Sequence, residues 1–319
     1  MRSMEIIRGV HNIRPEHYGC VATIGKFDGV HHGHRMLLAH LNAKSDELGV
    51  PSLLITFEPL PREFFEGANR PARLTRFRER VKLLGGTGLD RVLCLPFNEQ
   101  LRAVTAETVI EDFLVRRLGV QYVVVGDNFQ FGRNREGNYA MLKAAGDRHG
   151  FGVSHLGTLT FEHDRVSSTR VREALARGEF PLAERLLGHE YFIMGRVVYG
   201  RQLGRELGVP TANVPLHRYR AALEGVYAAE VEGLDGRRYQ GVANIGVRPT
   251  VHGSNEPLLE VHIFDFDRDI YGKLISVVFK HKLRDERRFE SLEALTTQIH
   301  ADIATARSWF DESETDETN

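Results

Sequence analysis

Gly25-Lys26-Phe27-Asp28-Gly29-Val30-His31-His32-Gly33-His34 lies between two segments of different period. Ahead of it runs β-branched Val21-Ala22-Thr23-Ile24, and behind it Leu37, Leu38, Leu41 and Leu48 recur at roughly helical spacing. The reading is strand, glycine-containing turn, helix. His31 and His34 flank Gly33 where the helix should begin. Free backbone N–H groups and the positive end of a helix dipole favour phosphate at such a place. Two imidazoles add donors, and Gly33 allows a close backbone approach. A nucleoside triphosphate site is the sharp expectation; a chance histidine pair, among fifteen histidines, is the bland one.

The chain has 319 residues, enough for two domains with adequate cores. Its 42 basic residues almost balance 43 acidic ones, so no global basic field argues for nucleic acid. Cys20 and Cys94 fall in apolar strand-like runs and read as reduced core residues. No apolar run approaches the ~20 residues that span a bilayer, and Met1 to Arg14 has no signal-type apolar core. The expectation is a soluble cytoplasmic protein, a monomer or weak oligomer, acting on small molecules and on neither nucleic acid nor membrane.

Outward from the decapeptide, the first half alternates candidate strands (21–24, 52–57, 91–95, 121–125, 152–156) with candidate helices (34–48, 73–84, 106–118, 139–149). Short apolar strands between helices imply an α/β layer with a parallel sheet covered on both faces. Ligands then sit beyond the carboxyl ends of strands, where 25–34 and 126–137 both fall. After about Gly188 the rhythm changes. Strands near 192–199, 225–231, 240–245, 258–264 and 274–283 follow without long helices, implying an antiparallel barrel or sandwich. A last helix, about 291–309, opens on a Ser291 cap and carries Leu292, Leu295, Ile299 and Ile303 on one face. Residues 311–319 are acidic, polar and expected to be disordered. The expected domains are therefore 1–187 and 188–310, with that tail.

Further residues carry chemistry. Ser167-Ser168-Thr169-Arg170-Val171-Arg172 places hydroxyls at a helix start, either as plain caps or as part of a phosphate site. The loop Gly126-Asp127-Asn128-Phe129-Gln130-Phe131-Gly132 reads as a glycine-bounded turn with inward phenylalanines. Gly195, Gly200, Gly204 and Gly208 precede Pro210-Thr211-Ala212-Asn213. Such spacing is neither a P-loop nor a dinucleotide fingerprint and suits a wide hairpin as well as a phosphate cradle. Thr211 and Asn213, two apart on a strand, point the same way and can offer oxygens to Mg²⁺. Glu260 should face opposite to Leu259 and Val261. Asp265, Asp267 and Asp269 lack the glycine and closing glutamate of a calcium loop and read as solvated turn carboxylates. No cysteine, serine or lysine is set beside a base as a nucleophile, which favours direct attack by a substrate oxygen on ATP.

The string G-x-F-D-G-V-H-x-G-H and the later S-S-T-x-x-R resemble the two phosphate signatures of the nucleotidyltransferase superfamily, in the form found in bacterial bifunctional riboflavin kinase/FAD synthetases. G-x-P-T-A-N, the run Gly241 to Thr250 and Leu259-Glu260-Val261-His262 resemble riboflavin kinase motifs. The resemblance covers all but the acidic tail. It implies a Rossmann-like adenylyltransferase domain followed by a β-barrel kinase domain: riboflavin plus ATP gives FMN, and FMN plus ATP gives FAD and pyrophosphate. In the first domain it assigns ATP to Gly25, Phe27, Asp28, His31, His34, Ser167, Ser168, Thr169 and Arg172, with both histidines catalytic. Phe57 and Asn128 would meet flavin, Phe57 being equally suited to the core. Lys26 and Leu60 depart from the family pattern, and Leu60 is given no role. In the second domain the resemblance assigns ATP to Gly195, Gly200, Gly204, Gly208 and Thr211. Mg²⁺ falls to Thr211 and Asn213, the catalytic base to Glu260, and flavin contact to Arg284 and Phe289. A chain with one live activity, or a flavin carrier without turnover, are the competing readings.

Overall fold

The structure is a computed structural model, and it describes residues 4–65, 70–200, 204, 207–249 and 255–316. It divides into two compact units: residues 1–71 with 80–167, and residues 72–79 with 168–319.

The first unit is built on a six-stranded sheet. Its strands are β1 Glu5–Arg8, β2 Cys20–Ile24, β3 Ser52–Glu58, β4 Arg91–Pro96, β5 Val120–Gly126 and β6 Gly152–Leu156. They lie in the order β1-β4-β3-β2-β5-β6 and every pairing is parallel. β1 was not anticipated: its four residues bury only Ile7, too little apolar pattern to read from sequence. From β2 the chain builds outward through β3 and β4, then returns to place β5 on the other side. β2 and β5 are neighbours at which the winding reverses, and loops 25–31 and 127–132 leave their carboxyl ends. A doubly wound sheet opens its ligand crevice at that point.

Apolar strand faces bury Cys20, Ala22, Leu53, Ile55, Leu93, Val123 and Val125 in one cluster with Ile110, Leu114 and Leu142 of the covering helices. Helix α1, His32–Leu48, buries Leu38 and Leu41 and ends on Gly49 in the left-handed conformation. Short helices α2 Pro61–Phe65, α3 Phe77–Gly85, α4 Glu99–Arg102 and α5 Ala106–Thr108 follow. The helix expected over 106–118 is continuous but winds as a π-helix over Val109–Arg117. The helix expected from residue 73 starts only at Phe77. Helix α6, Tyr139–His149, matches its expected span, and after β6 a short antiparallel pair follows, β7 Thr160–Phe161 with β8 Asp164–Arg165.

In the second unit, α7 Ser168–Arg177 and α8 Phe180–Leu187 precede β9 Phe192–Arg196, β10 Ala212–Pro215, β11 Gly225–Glu232, β12 Tyr239–Pro249, β13 Asn255–Ile263 and β14 Leu274–Arg284. The sheet order is β10-β13-β12-β11-β14-β9, antiparallel throughout. Its two ends approach each other. Val198, just past β9, bridges to Asn213 on β10, and Gly195 on β9 leaves no room for a Cβ against Val214. The sheet is thus curled into a near-closed barrel. A final helix, α9 Leu292–Asp316, packs Ala306 and Phe310 against Val226, Ala228 and Val242. It runs to Asp316, past the expected end at Trp309, so the supposed tail is helical over 311–316. Residues 317–319 lie outside the described set.

The second unit begins before the expected boundary at 187/188. Phe180 of α8 meets the buried Tyr227 of β11 edge to face, and Gly178 abuts the stem of Lys282 on β14. Residues 72–79 also belong to this unit. Glu79 and Arg218 form an ion pair with both side chains about 1% exposed. Glu79 also accepts the Met194 N–H at 2.8 Å, while Arg218 donates to the Arg73 carbonyl at 3.1 Å. This strip, far from the barrel in sequence, gave no sequence signal of its destination.

Candidate functional site

In the first unit the decapeptide makes the predicted strand–turn–helix. The Gly25 N–H still pairs with Ile55 of β3, after which Phe27, Gly29 and Val30 take positive φ values of 50°, 85° and 43°. Two non-glycine residues in that region mark a backbone held in a sparsely populated shape. Arg80, fully buried, holds the loop from beneath by donating to the Lys26 carbonyl at 2.9 Å, the Phe57 carbonyl at 3.0 Å and Glu58 at 3.0 Å. Sequence reading assigned Arg80 nothing.

His31 is the N-cap of α1: its Nδ1 accepts the His34 backbone N–H at 3.3 Å. Accepting at Nδ1 puts the neutral ring's proton on Nε2, available as a donor. The rings of His31 and His34 stack with centroids 3.6 Å apart, and Phe27 stacks on His34 at 4.6 Å. Burial pushes His31 down to about 4, opposed by the Asp28 carboxylate. It pushes His34 well below the usual histidine range, reinforced by His31 and Arg80. Both rings are therefore neutral near pH 7. Among the described residues, the buried His34 Nδ1 has no hydrogen-bond partner. A polar, pre-shaped helix start whose first backbone N–H groups lack helical partners suits a polyanion.

Around this loop the other expected residues are spread. Gly25 is covered by the Phe27 ring, and Asp28 is buried. Phe57 is half-buried and packs edge-on against Phe97 at 5.8 Å. Leu60 is buried. Asn128 is exposed beyond β5, next to Asp127, whose carboxylate accepts the Thr158 N–H and hydroxyl at 2.6 and 2.7 Å. Ser167 ends the first unit, whereas Ser168, Thr169 and Arg172 open α7 in the second. There Arg172 donates to the Ala72 carbonyl.

In the second unit the strand register assembles the polar residues. Glu260 of β13 stands directly opposite Asn213 of β10 on one side and Asn244 of β12 on the other. Cross-strand partners project from the same face of a sheet. Their chain neighbours Ala212, Val214, Leu259, Val261, Ala243 and Ile245 are all buried in the barrel, so the row points the other way. Gly200 crosses one end of the row, where an added Cβ would lie 2.5 Å from the Asn213 amide nitrogen. Gly204 likewise sits against Thr211, 3.1 Å from a Cβ position to its hydroxyl. Gly208 has φ 76°, and the Pro210 carbonyl accepts from His262 at 2.8 Å. Gly200, Gly204, Thr211 and Asn213 thus converge, whereas buried Gly195 serves packing against Val214.

Among the described residues, the buried Oδ1 atoms of Asn213 and Asn244 have no hydrogen-bond partner. An orphaned amide oxygen beside a threonine hydroxyl and a carboxylate is a donor set suited to a hard cation such as Mg²⁺. Arg284 is committed to Asp302 of α9 by three bonds of 2.8–3.1 Å, with Phe289 5.7 Å beneath its guanidinium. Asp302 and Asn244 were missed because only strand pairing and helix docking bring them to the site. Thr250, the end of the quoted run from Gly241, lies outside the described residues. Asp265 pairs with Arg307, and Asp269 accepts the Tyr271 N–H, so both act in local structure. Among the described residues, no helix is long and apolar enough to cross a membrane.

Comparison with known proteins agrees with both halves. Residues 13–170 match the family model for FAD synthetase, and residues 187–310 that for riboflavin kinase. A bifunctional riboflavin kinase/FMN adenylyltransferase of Pseudomonas fluorescens is 53% identical over 305 residues, covering 96% of this chain and 97% of the relative. One from Escherichia coli K12 is 48% identical over 308 residues, covering 96% and 98%. A solved Streptococcus pneumoniae chain, described as a macrolide-efflux protein, superposes with TM-score 0.79 at 29% identity, covering 96% and 100%. On these sequence matches, the chain belongs to the bifunctional riboflavin kinase/FMN adenylyltransferase family.

Proposed function

We propose that this chain makes FMN from riboflavin and ATP in its second half, and FAD with release of pyrophosphate from FMN and ATP in its first. The observation that carries the reading is the register Asn213–Glu260–Asn244 beneath Gly200. It sets a carboxylate beside an orphaned oxygen under a glycine loop, which a flavin carrier would not need.

In the kinase half, Gly200, Gly204, Gly208 and Thr211 admit the ATP phosphates. Thr211 and Asn213 are the residues that would hold Mg²⁺, which when bound neutralises phosphate charge. Glu260 takes the proton of the terminal ribityl hydroxyl as its oxygen attacks the γ-phosphorus and ADP leaves. Arg284, fixed by Asp302, and Phe289 border the flavin.

In the adenylyltransferase half, a phosphate oxygen of FMN attacks the α-phosphorus of ATP and pyrophosphate departs. His31 and His34, with Gly25, Phe27, Asp28 and the hydroxyls of Ser167, Ser168 and Thr169, position the triphosphate; Arg172 adds positive charge. Asn128 and Phe57 lie on the flavin side. Catalysis there is positioning and charge stabilisation. Residues 1–187 and 188–310 are the functional segments, and the enzyme works on soluble small molecules in the cytoplasm.

Incubation with riboflavin, Mg²⁺ and ATP tests the reading. FMN should appear first and FAD after it. Flavin binding without turnover would establish the carrier, and accumulation of FMN alone would establish a single live activity.

A further inference from the structure

The row on the outer barrel face contains one residue that the phosphate-transfer assignment leaves without work. Asn244 occupies the same register position as Asn213 but on the opposite side of Glu260. Among the described residues, its buried Oδ1 has no hydrogen-bond partner. A buried amide oxygen left unsatisfied is destabilising, so its presence here calls for a donor that arrives with a ligand.

The geometry says which ligand. The Asn213 end of the row lies under Gly200, the side on which the proposed kinase reaction puts the ATP phosphates. The Asn244 end lies away from it. Two residues along β12, Gly246 is covered by the Glu286 side chain, so that end has a wall of its own. Phosphoryl transfer requires donor phosphorus, accepting oxygen and the remainder of the acceptor in that order. With phosphate on one side of Glu260 and the reacting hydroxyl at Glu260, the far side receives the rest of the polyol. Cross-strand side chains start about 5 Å apart, close to the spacing that separates hydroxyls on neighbouring carbons when the side chains converge.

We propose that Asn244 is a specificity residue for the acceptor: its Oδ1 accepts a hydrogen bond from the ribityl hydroxyl next to the one phosphorylated. This rests on the assignment of Glu260 as base. Asn244 thereby fixes which hydroxyl of a polyol meets the carboxylate, and selects acceptors bearing a vicinal diol at the chain end.

The test uses the full-length enzyme with riboflavin and with riboflavin lacking the penultimate hydroxyl. Asn244→Ala should reduce kinase kcat/KM for riboflavin about tenfold to a hundredfold, mostly through KM. It should change kcat/KM for the deoxy acceptor by less than about threefold, because that bond is already absent. Half-saturating Mg²⁺ should not move. Asn244→Asp keeps an acceptor and should restore the riboflavin KM. Should Asn244→Ala fail to fold, Asn244→Asp and Asn244→Ser carry the same two-acceptor comparison. Equal losses with both acceptors, or a raised Mg²⁺ requirement, would overturn the proposal. Glu260→Gln run alongside separates the two levels. An inactive Glu260→Gln with an indifferent Asn244→Ala removes only the acceptor role, whereas an active Glu260→Gln removes the site beneath it.

Discussion

Glu260 and Asn213 face each other across β13 and β10, so the carboxylate and the orphaned amide oxygen leave the barrel on one face. Their separation in sequence hides this entirely. A strand pairing shifted by one residue would turn one of them into the apolar interior.

Gly200→Ala tests the cradle over that face. A Cβ there would lie 2.5 Å from the Asn213 amide and must displace it. FMN formation should fall at least about tenfold, since small misplacements of positioning groups commonly cost up to a hundredfold. FAD synthesis from supplied FMN should stay unchanged, as coupled and uncoupled assays would show.

His31→Ala should slow FAD formation about a hundredfold while leaving riboflavin phosphorylation nearly intact. One charge-stabilising donor is commonly worth roughly 3 kcal/mol in the transition state. Equal loss of both activities in a folded variant would contradict separate sites.

The same histidine predicts a pH dependence. His31 titrates near 4 in the fold and His34 also well below 6.5, so the unfolded chain binds more protons between those values. The stability of the first unit is therefore present above about pH 6.5 and falls as pH drops toward 4, by up to about 1.4 kcal/mol per pH unit for each proton. Hydrogen-exchange protection factors (observed rates corrected for the intrinsic pH dependence) in residues 20–48 should fall more steeply on acidification in the wild type than in His31→Asn, which keeps a capping oxygen and does not titrate. Parallel slopes would show that His31 contributes nothing.

The fold's rhythm was legible because periodicity is local: parallel β2–β6 and the antiparallel barrel both follow from alternation and run length. So was the strand–turn–helix around residues 25–34, whose glycines and histidines are contiguous. What stayed hidden depends on distant partners. Arg80 beneath the loop, Asp302 on Arg284, Asn244 beside Glu260 and the strip 72–79 in the barrel unit acquire meaning only once strands pair and helices dock.

Arg218 makes that last point measurable. Arg218→Ala would leave Glu79 as a buried charge without its guanidinium partner, a change that typically costs 3–5 kcal/mol. Thermal unfolding of the barrel unit, followed through Trp309, should move sharply downward. A fragment beginning at Gly188 lacks Glu79 as well, and should be less stable than the same residues in the full chain.

The most direct measurement is steady-state riboflavin phosphorylation by Glu260→Gln. A positioned base contributes on the order of 10² to 10⁴. The variant should therefore lose that much kcat while ATP and riboflavin affinities change little and FAD synthesis from FMN persists. Asn213→Ala should instead raise the Mg²⁺ needed for half-maximal rate. Near-normal kcat in Glu260→Gln would contradict the assignment on which the kinase site rests.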